Sequence, residues 1–221
     1  MRSLAPRSGL ILRKVKLPTG EAPVYQSAVG QGISSDAAQL TETVLNDHPD
    51  TPLHVLELGC GTGIVSLTLS GFRPGWHILG IDILPQLVEI ARMNALNTNA
   101  RAIFQVGDIT RPDFIDRGFD LIVSNPPYYP ISMGRVSPRP EKAVARHEIL
   151  CDLPGVIRCL SLALSENGVA YVLYPAFRDG ELLDQVAQHP LTAIVRHEIP
   201  CRRPGASTHI WRIERRPNAH S

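Results

Sequence analysis

The 221-residue chain has no apolar run near the ~20 residues a bilayer-spanning helix needs, and its first residues lack the apolar core of a secretory signal. A cytoplasmic protein without a membrane anchor is the expectation. Four cysteines (Cys60, Cys151, Cys159, Cys201) are widely spaced, without a C-x-x-C pair or a Cys/His ligand spacing among the eight histidines. That pattern argues for reduced thiols and against a structural metal or a disulfide framework. A dominant charge is also lacking. The formal net charge is +1 and the pI about 7.8, so any surface that meets a nucleic acid must be local.

One local imbalance stands out. Arg2, Arg7, Arg13, Lys14 and Lys16 occur before the first acid, Glu21. This can be an organellar presequence, an arm that contacts nucleic acid, or one leg of a β-hairpin. The alternation from Leu10 to Leu17, ending at Pro18-Thr19-Gly20, favours the hairpin. A helix is expected from Ser34 or Ser35, with Ala37, Leu40, Val44 and Leu45 as its apolar stripe.

From residue 53 the chain alternates short apolar runs with helical patterns, which predicts an α/β domain. The expected strands are Leu53–Leu58, Trp76–Ile81, Ala102–Val106, Phe119–Val123, Asn167–Tyr174, Leu191–Ile199 and His209–Ile213. Expected helices begin at Ile64 and Pro85 and span Leu153–Leu164 and Asp179–Gln188. Gly59-Cys60-Gly61-Thr62-Gly63 follows the first of these strands and precedes a helix, the order a nucleotide-type ligand requires. Ile64 stands where a dinucleotide fingerprint would have glycine, so the loop does not match the NAD type. Asp82 ends the next strand, where a carboxylate grips ribose hydroxyls. Asp108 ends the third and can accept from an adenine amino group, with Ile109 against the ring.

Ser124-Asn125-Pro126-Pro127-Tyr128 ends the fourth strand. Two prolines stiffen the backbone and remove N–H donors. What remains is a pair of acceptors, the Asn125 amide oxygen and the Pro126 carbonyl, suited to the hydrogens of a planar amino group. Tyr128 offers a flat face for stacking, worth about 1–3 kcal/mol per base. The alternative is a rigid turn with no chemistry. Beyond it, Tyr129 to Glu141 has neither helical nor strand period and is read as a substrate loop. Near the C-terminus, Arg196, Arg202, Arg203, Arg212, Arg215 and Arg216 form either a phosphate-binding patch or a solvated edge.

Glu57 through Gly63, Asp82, Asp108 and Ser124 through Tyr128, at four successive strand ends, resemble the class I S-adenosylmethionine-dependent methyltransferases that carry Asn-Pro-Pro-Tyr. With Ser34-Ser35-Asp36 and Ala145-Arg146-His147-Glu148 added, the chain is most similar to bacterial tRNA1(Val) adenine-N6 methyltransferases. The resemblance implies a Rossmann-like, mostly parallel seven-stranded sheet with a C-terminal antiparallel strand and helices on both faces. It implies an N-terminal extension over residues 1–47, made of the hairpin and a cofactor-capping helix, and a methyltransferase domain over 48–221. The implied cofactor is S-adenosyl-L-methionine, leaving S-adenosyl-L-homocysteine. Glu57, Gly59, Gly61, Gly63, Asp82, Ile83, Asp108, Ile109 and Asn125 would hold it. Asn125, Pro126, Pro127 and Tyr128 would handle the amino group of an adenine in tRNA. Release-factor glutamine methyltransferases share Asn-Pro-Pro-Tyr but carry a sizeable helical domain before the glycine loop, where about fifty residues precede it here. A DNA adenine methyltransferase and a catalytically silent binding module are the remaining alternatives.

Overall fold

Each apolar run from residue 54 onward becomes a strand of one sheet, because it is too short for a helix and is bounded by turn residues. In the computed structural model, residues 12–20, 22–27, 35–111, 117–126, 152–201 and 206–217 are described. The elements in order are β1 (Leu12–Lys16), β2 (Pro23–Ser27), α1 (Ser35–Asp47), β3 (His54–Leu58), α2 (Ile64–Phe72), β4 (His77–Asp82), α3 (Pro85–Thr98), β5 (Ile103–Val106) and β6 (Phe119–Ser124). They continue with α4 (Leu153–Ala163), β7 (Leu164–Pro175), a single turn of 3-10 helix, α5 (Asp179–Ala187), β8 (Leu191–Pro200) and β9 (Ser207–Arg215).

Seven strands pair in the order β5-β4-β3-β6-β7-β9-β8. β3, β4, β5, β6 and β7 are mutually parallel, and β9 runs antiparallel to both β7 and β8. This is the Rossmann-like architecture expected from the sequence. The chain leaves β3 toward β4 on one side and later returns to β6 on the other, so the switch point of the sheet lies between β3 and β6.

Strand periodicity sorts the core into two layers. Val55, Leu121, Val123, Tyr171 and Leu173 face α1, α2 and α3. Leu56, Leu58, Ile122, Ala170, Val172 and Tyr174 face α4 and α5. Among the described residues no helix is long and apolar enough to cross a membrane.

β1 and β2 form the hairpin expected around Pro18-Thr19-Gly20, with Leu12 opposite Ser27 and Lys16 opposite Pro23. The hairpin and α1 supply Leu17, Val24, Leu40 and Val44 to the same core layer as α2 and α3. Asn94 of α3 is wholly buried and anchors β2 like a neighbouring strand. Its Oδ1 accepts from Tyr25 N–H at 2.7 Å, and its Nδ2 donates to Tyr25 O at 2.8 Å and Thr62 O at 3.0 Å.

Two differences from the sequence reading have local causes. β7 begins at Leu164, directly after α4, and not at Asn167. Phe119 pairs with Leu164 and Leu121 with Val169, so a bulge absorbs the Asn-Gly that reads as a strand boundary. The basic C-terminal arginines among the described residues are engaged in structure. Arg196 pairs with Asp47, which also accepts from Tyr171 OH at 2.8 Å. Arg212 pairs with Glu214. Arg215 donates to the carbonyls of Ser161 and Leu164, and Arg216 to that of Leu191. Arg202 and Arg203 lie outside the described residues.

Asn94→Ala removes three hydrogen bonds at once. It should lower unfolding free energy by about 2–3 kcal/mol, read by urea titration under circular dichroism. A change below about 0.5 kcal/mol would mean that the hairpin does not depend on Asn94.

Candidate functional site

The register of the sheet decides what stands at its C-terminal edge. Leu58 pairs with Ile81 and with Ser124, and Asp82 pairs with Val106. The next residues along each strand are therefore neighbours. Asp82, Gly59 and Asn125 follow one another across β4, β3 and β6 at a strand spacing of about 4.8 Å, and Asp108 lies two residues beyond Val106, the β5 partner of Asp82. Ser124 Oγ donates to Leu58 O at 3.1 Å and fixes the crevice between β3 and β6.

The glycine loop is tied down from both sides. Gly59 N–H and Cys60 N–H both donate to Ile81 O at 2.9 Å, and Gly61 N–H donates to Asp82 Oδ2 at 2.8 Å. The three glycines have left-handed φ values of 73°, 53° and 82°, but their surroundings divide them. A Cβ on Gly59 or Gly61 would meet nothing within 4 Å, which leaves a cradle for a ligand. A Cβ on Gly63 would lie 2.7 Å from the Phe104 ring. Gly63 is thus demanded by helix-to-sheet packing.

Gly63 is the N-cap of α2 and has no side chain with which to cap it. Glu57 fills that role from β3: its Oε2 accepts from Ser66 N–H at 3.0 Å and from Ser66 Oγ–H. Glu57 is 6% exposed, and burial pushes its carboxyl up to about 8 against the pull of the Ser66 hydrogen bonds. Asp82 is likewise buried and raised, chiefly by desolvation, although its carboxylate also takes Leu84 N–H at 2.9 Å. Two desolvated acids therefore flank the cradle.

Asp108 uses Oδ1 for Thr110 N–H and Oγ1–H at 2.9 and 2.6 Å, which among the described residues leaves Oδ2 for another donor. Ile109 is buried among Leu56, Leu58 and Ile81 in the second core layer, and Ile83 is half-buried beside Asp82. Asn125 is half-buried and Pro126 buried at the end of β6. Pro127, Tyr128, Arg146 and His147 lie outside the described residues. Ser66, Asn94 and Phe104 are supporting residues not singled out in the sequence. Asn94 carried a signal, since asparagine is a poor helix-interior residue and this one falls within the apolar stripe of α3.

Residues 55–133 match the family model described as a methyltransferase domain. This stretch, less than half of the chain, thus resembles a methyltransferase domain. A tRNA1(Val) (adenine(37)-N6)-methyltransferase from Porphyromonas gingivalis is 35% identical over 133 residues, 58% of this chain and 51% of that protein. A release factor glutamine methyltransferase from Enterococcus faecalis is 36% identical over 93 residues, 42% of this chain and 33% of that protein. The chain thus spans from a third to about half of the length of these two relatives. Among solved structures, the Thermus thermophilus 16S rRNA N2 G1207 methyltransferase, in complex with AdoMet and guanosine, has the same fold. Its TM-score is 0.66 at 15% identity, over 96% of this chain and 52% of that one. A cofactor such as S-adenosyl-L-methionine would find open space at Gly59 and Gly61 and, among the described residues, a carboxylate oxygen of Asp108 that Thr110 does not use.

Gly61→Ala should abolish cofactor binding in calorimetry while leaving the fold intact, apart from about 1–2 kcal/mol of left-handed strain. Gly63→Ala should lose a further 1–3 kcal/mol, roughly, against Phe104. Equal losses of stability would contradict the division. For Glu57 the folded-state value lies above the ordinary 4.5, so the folded protein keeps a proton that the unfolded chain releases. Its stabilisation is complete below pH 4.5 and is lost as the pH rises through about 8. Glu57→Gln should flatten that decline in denaturant midpoints, leaving the weaker, same-signed slope from Asp82. An unchanged slope would show that Glu57 is ionised throughout.

Proposed function

We propose that this protein transfers a methyl group from S-adenosyl-L-methionine to an exocyclic amino nitrogen, and that the acceptor is N6 of an adenine in a tRNA. The observation that carries the reading is the Leu58–Ser124 pairing, which sets the glycine cradle beside Asn125 at the switch point. Bound there, the sulfonium supplies an electrophilic methyl with a good leaving group. The residues of the chain then have three tasks: holding, orienting and excluding.

Gly59 and Gly61 admit the methionine end. Asp82, whose carboxylate accepts from the backbone N–H groups of Gly61 and Leu84, keeps further lone pairs for ribose hydroxyls. Asp108 Oδ2 receives the cofactor's adenine amino group. Asn125 Oδ1 and the Pro126 carbonyl receive the two hydrogens of the acceptor nitrogen. Gripping those hydrogens draws the nitrogen out of plane and turns its lone pair toward the methyl, so the acceleration comes from orientation and needs no strong base. Tyr128 is assigned to stack on the acceptor ring. An adenine in folded RNA must leave its stack to reach this site, at a few kcal/mol, roughly.

A glutamine side-chain amide is planar and delocalised in the same way. The Enterococcus faecalis relative therefore supports a second reading, methylation of a release factor glutamine. Both readings use the same two acceptors.

Incubation with methyl-labelled cofactor and, separately, total tRNA, release factor and DNA should place the label on tRNA as N6-methyladenine. Label on release factor glutamine would replace the first reading with the second. Asn125→Ala should reduce transfer at least about 100-fold, as the loss of a group that acts on the reacting atoms does, with a far smaller loss of cofactor affinity. Parallel loss of cofactor binding would make Asn125 a structural residue.

A further inference from the structure

The opposite edge of the same sheet carries a second, chemically different set of residues. β3 and β4 each open on a histidine, His54 and His77, which are direct cross-strand partners with ring centroids 5.4 Å apart. β5 is entered from Arg101 and β6 from Arg117, each two positions before the first strand residue. Four adjacent parallel strands thus begin at or just after a basic side chain. At about 4.8 Å per strand the row is about 14 Å long. It lines a cleft of about 220 Å³ whose walls are Ile78, Leu79, Ile103 and Phe119. Ile103 is 63% exposed there, a large apolar side chain at the rim of a basic cleft.

Among the described residues the guanidiniums of Arg101 and Arg117 differ from those of the C-terminal arginines. Arg196, Arg212, Arg215 and Arg216 donate to carboxylates or backbone carbonyls. Among the described residues, no hydrogen bond or ion pair engages the side chain of Arg101 or Arg117. Asp120, next to Phe119, directs Oδ2 at the backbone N–H of His54 at 2.9 Å. In a chain whose net charge is only +1, this concentration of donors without a side-chain partner among the described residues is local.

We propose that this cleft binds phosphodiester groups of the RNA substrate, as a second contact on the far side of the sheet from the methyl-transfer site. It rests on the reading of tRNA as the substrate. Guanidinium forks suit phosphate oxygens, the imidazoles add N–H donors, and the exposed Ile103 offers a face to a sugar or base. β6 is six residues long, so the two edges stand about 20 Å apart. A folded RNA can span that distance and a short peptide loop entering the Asn125 crevice does not need to. The cleft therefore adds affinity for a large structured RNA and contributes nothing to the chemical step.

The test is the double variant Arg101→Gln/Arg117→Gln, with unfractionated tRNA as the probe and binding followed by anisotropy across a salt series. Loss of two phosphate contacts should weaken binding about tenfold at 0.15 M salt. It should also reduce the slope of log K against log salt by about 1.4 to 1.8. Cofactor affinity, thermal melting and kcat at saturating tRNA should stay at wild-type values, and Arg101→Lys/Arg117→Lys should recover most of the affinity. Affinity within twofold of wild type with an unchanged slope overturns the proposal, as does a failure of the lysine pair to recover. If the wild type methylates release factor and not tRNA, while tRNA binding still falls in the double variant, the substrate reading fails and the cleft stands. If transfer to tRNA proceeds and the double variant binds normally, the cleft fails and the substrate reading stands.

Discussion

The structure depends on one pairing, that of β3 with β6 across the switch point of the sheet. Four backbone positions, Val55 to Leu58 against Leu121 to Ser124, bring together two stretches of chain more than sixty residues apart. Everything chemical follows from that register. A slip of one residue would turn Leu56 and Leu58 out of one core layer into the other and separate Gly59 from Asn125. Both layers are filled with apolar side chains of fixed facing, so burial on each side of the sheet locks the alignment that the site needs.

The second constraint is electrostatic. The glycine loop must leave backbone N–H groups and open space for a ligand, and that weakens its own support. Asp82 and Glu57 restore it from the strands by accepting from Gly61, Leu84 and Ser66. Both carboxyls are desolvated in doing so, and a bound cation beside them would favour their ionised forms. Asn94 adds a neutral support, joining Thr62 of the loop to Tyr25 of the hairpin. The N-terminal hairpin thus belongs to the same mechanical unit as the glycine loop.

Much of this was legible in the amino-acid sequence because it follows from period and punctuation. Apolar runs of four to six residues, a glycine loop between strand and helix, and acids at strand tips each carry their own physical reason. The bulge that starts β7 at Leu164 was hidden, since Asn167-Gly168 reads as a boundary until Phe119 and Leu164 are seen to pair. The division among the glycines was hidden as well, because Gly63 and Phe104 meet only in space. The fate of the C-terminal arginines could not be read from charge alone. Arg196, Arg212, Arg215 and Arg216 hold carbonyls and acids, whereas Arg101 and Arg117, sixteen residues apart, converge on one cleft.

A crystal structure of the protein with S-adenosyl-L-homocysteine tests the central claim most directly. The ligand is expected in the cradle of Gly59 and Gly61, its ribose on Asp82 and its adenine amino group on Asp108 Oδ2. The sulfur should face Asn125 with room between them for a methyl and a nitrogen about 3–3.5 Å apart. A ligand seated elsewhere, or an Asn125 amide turned away from the sulfur, would contradict it.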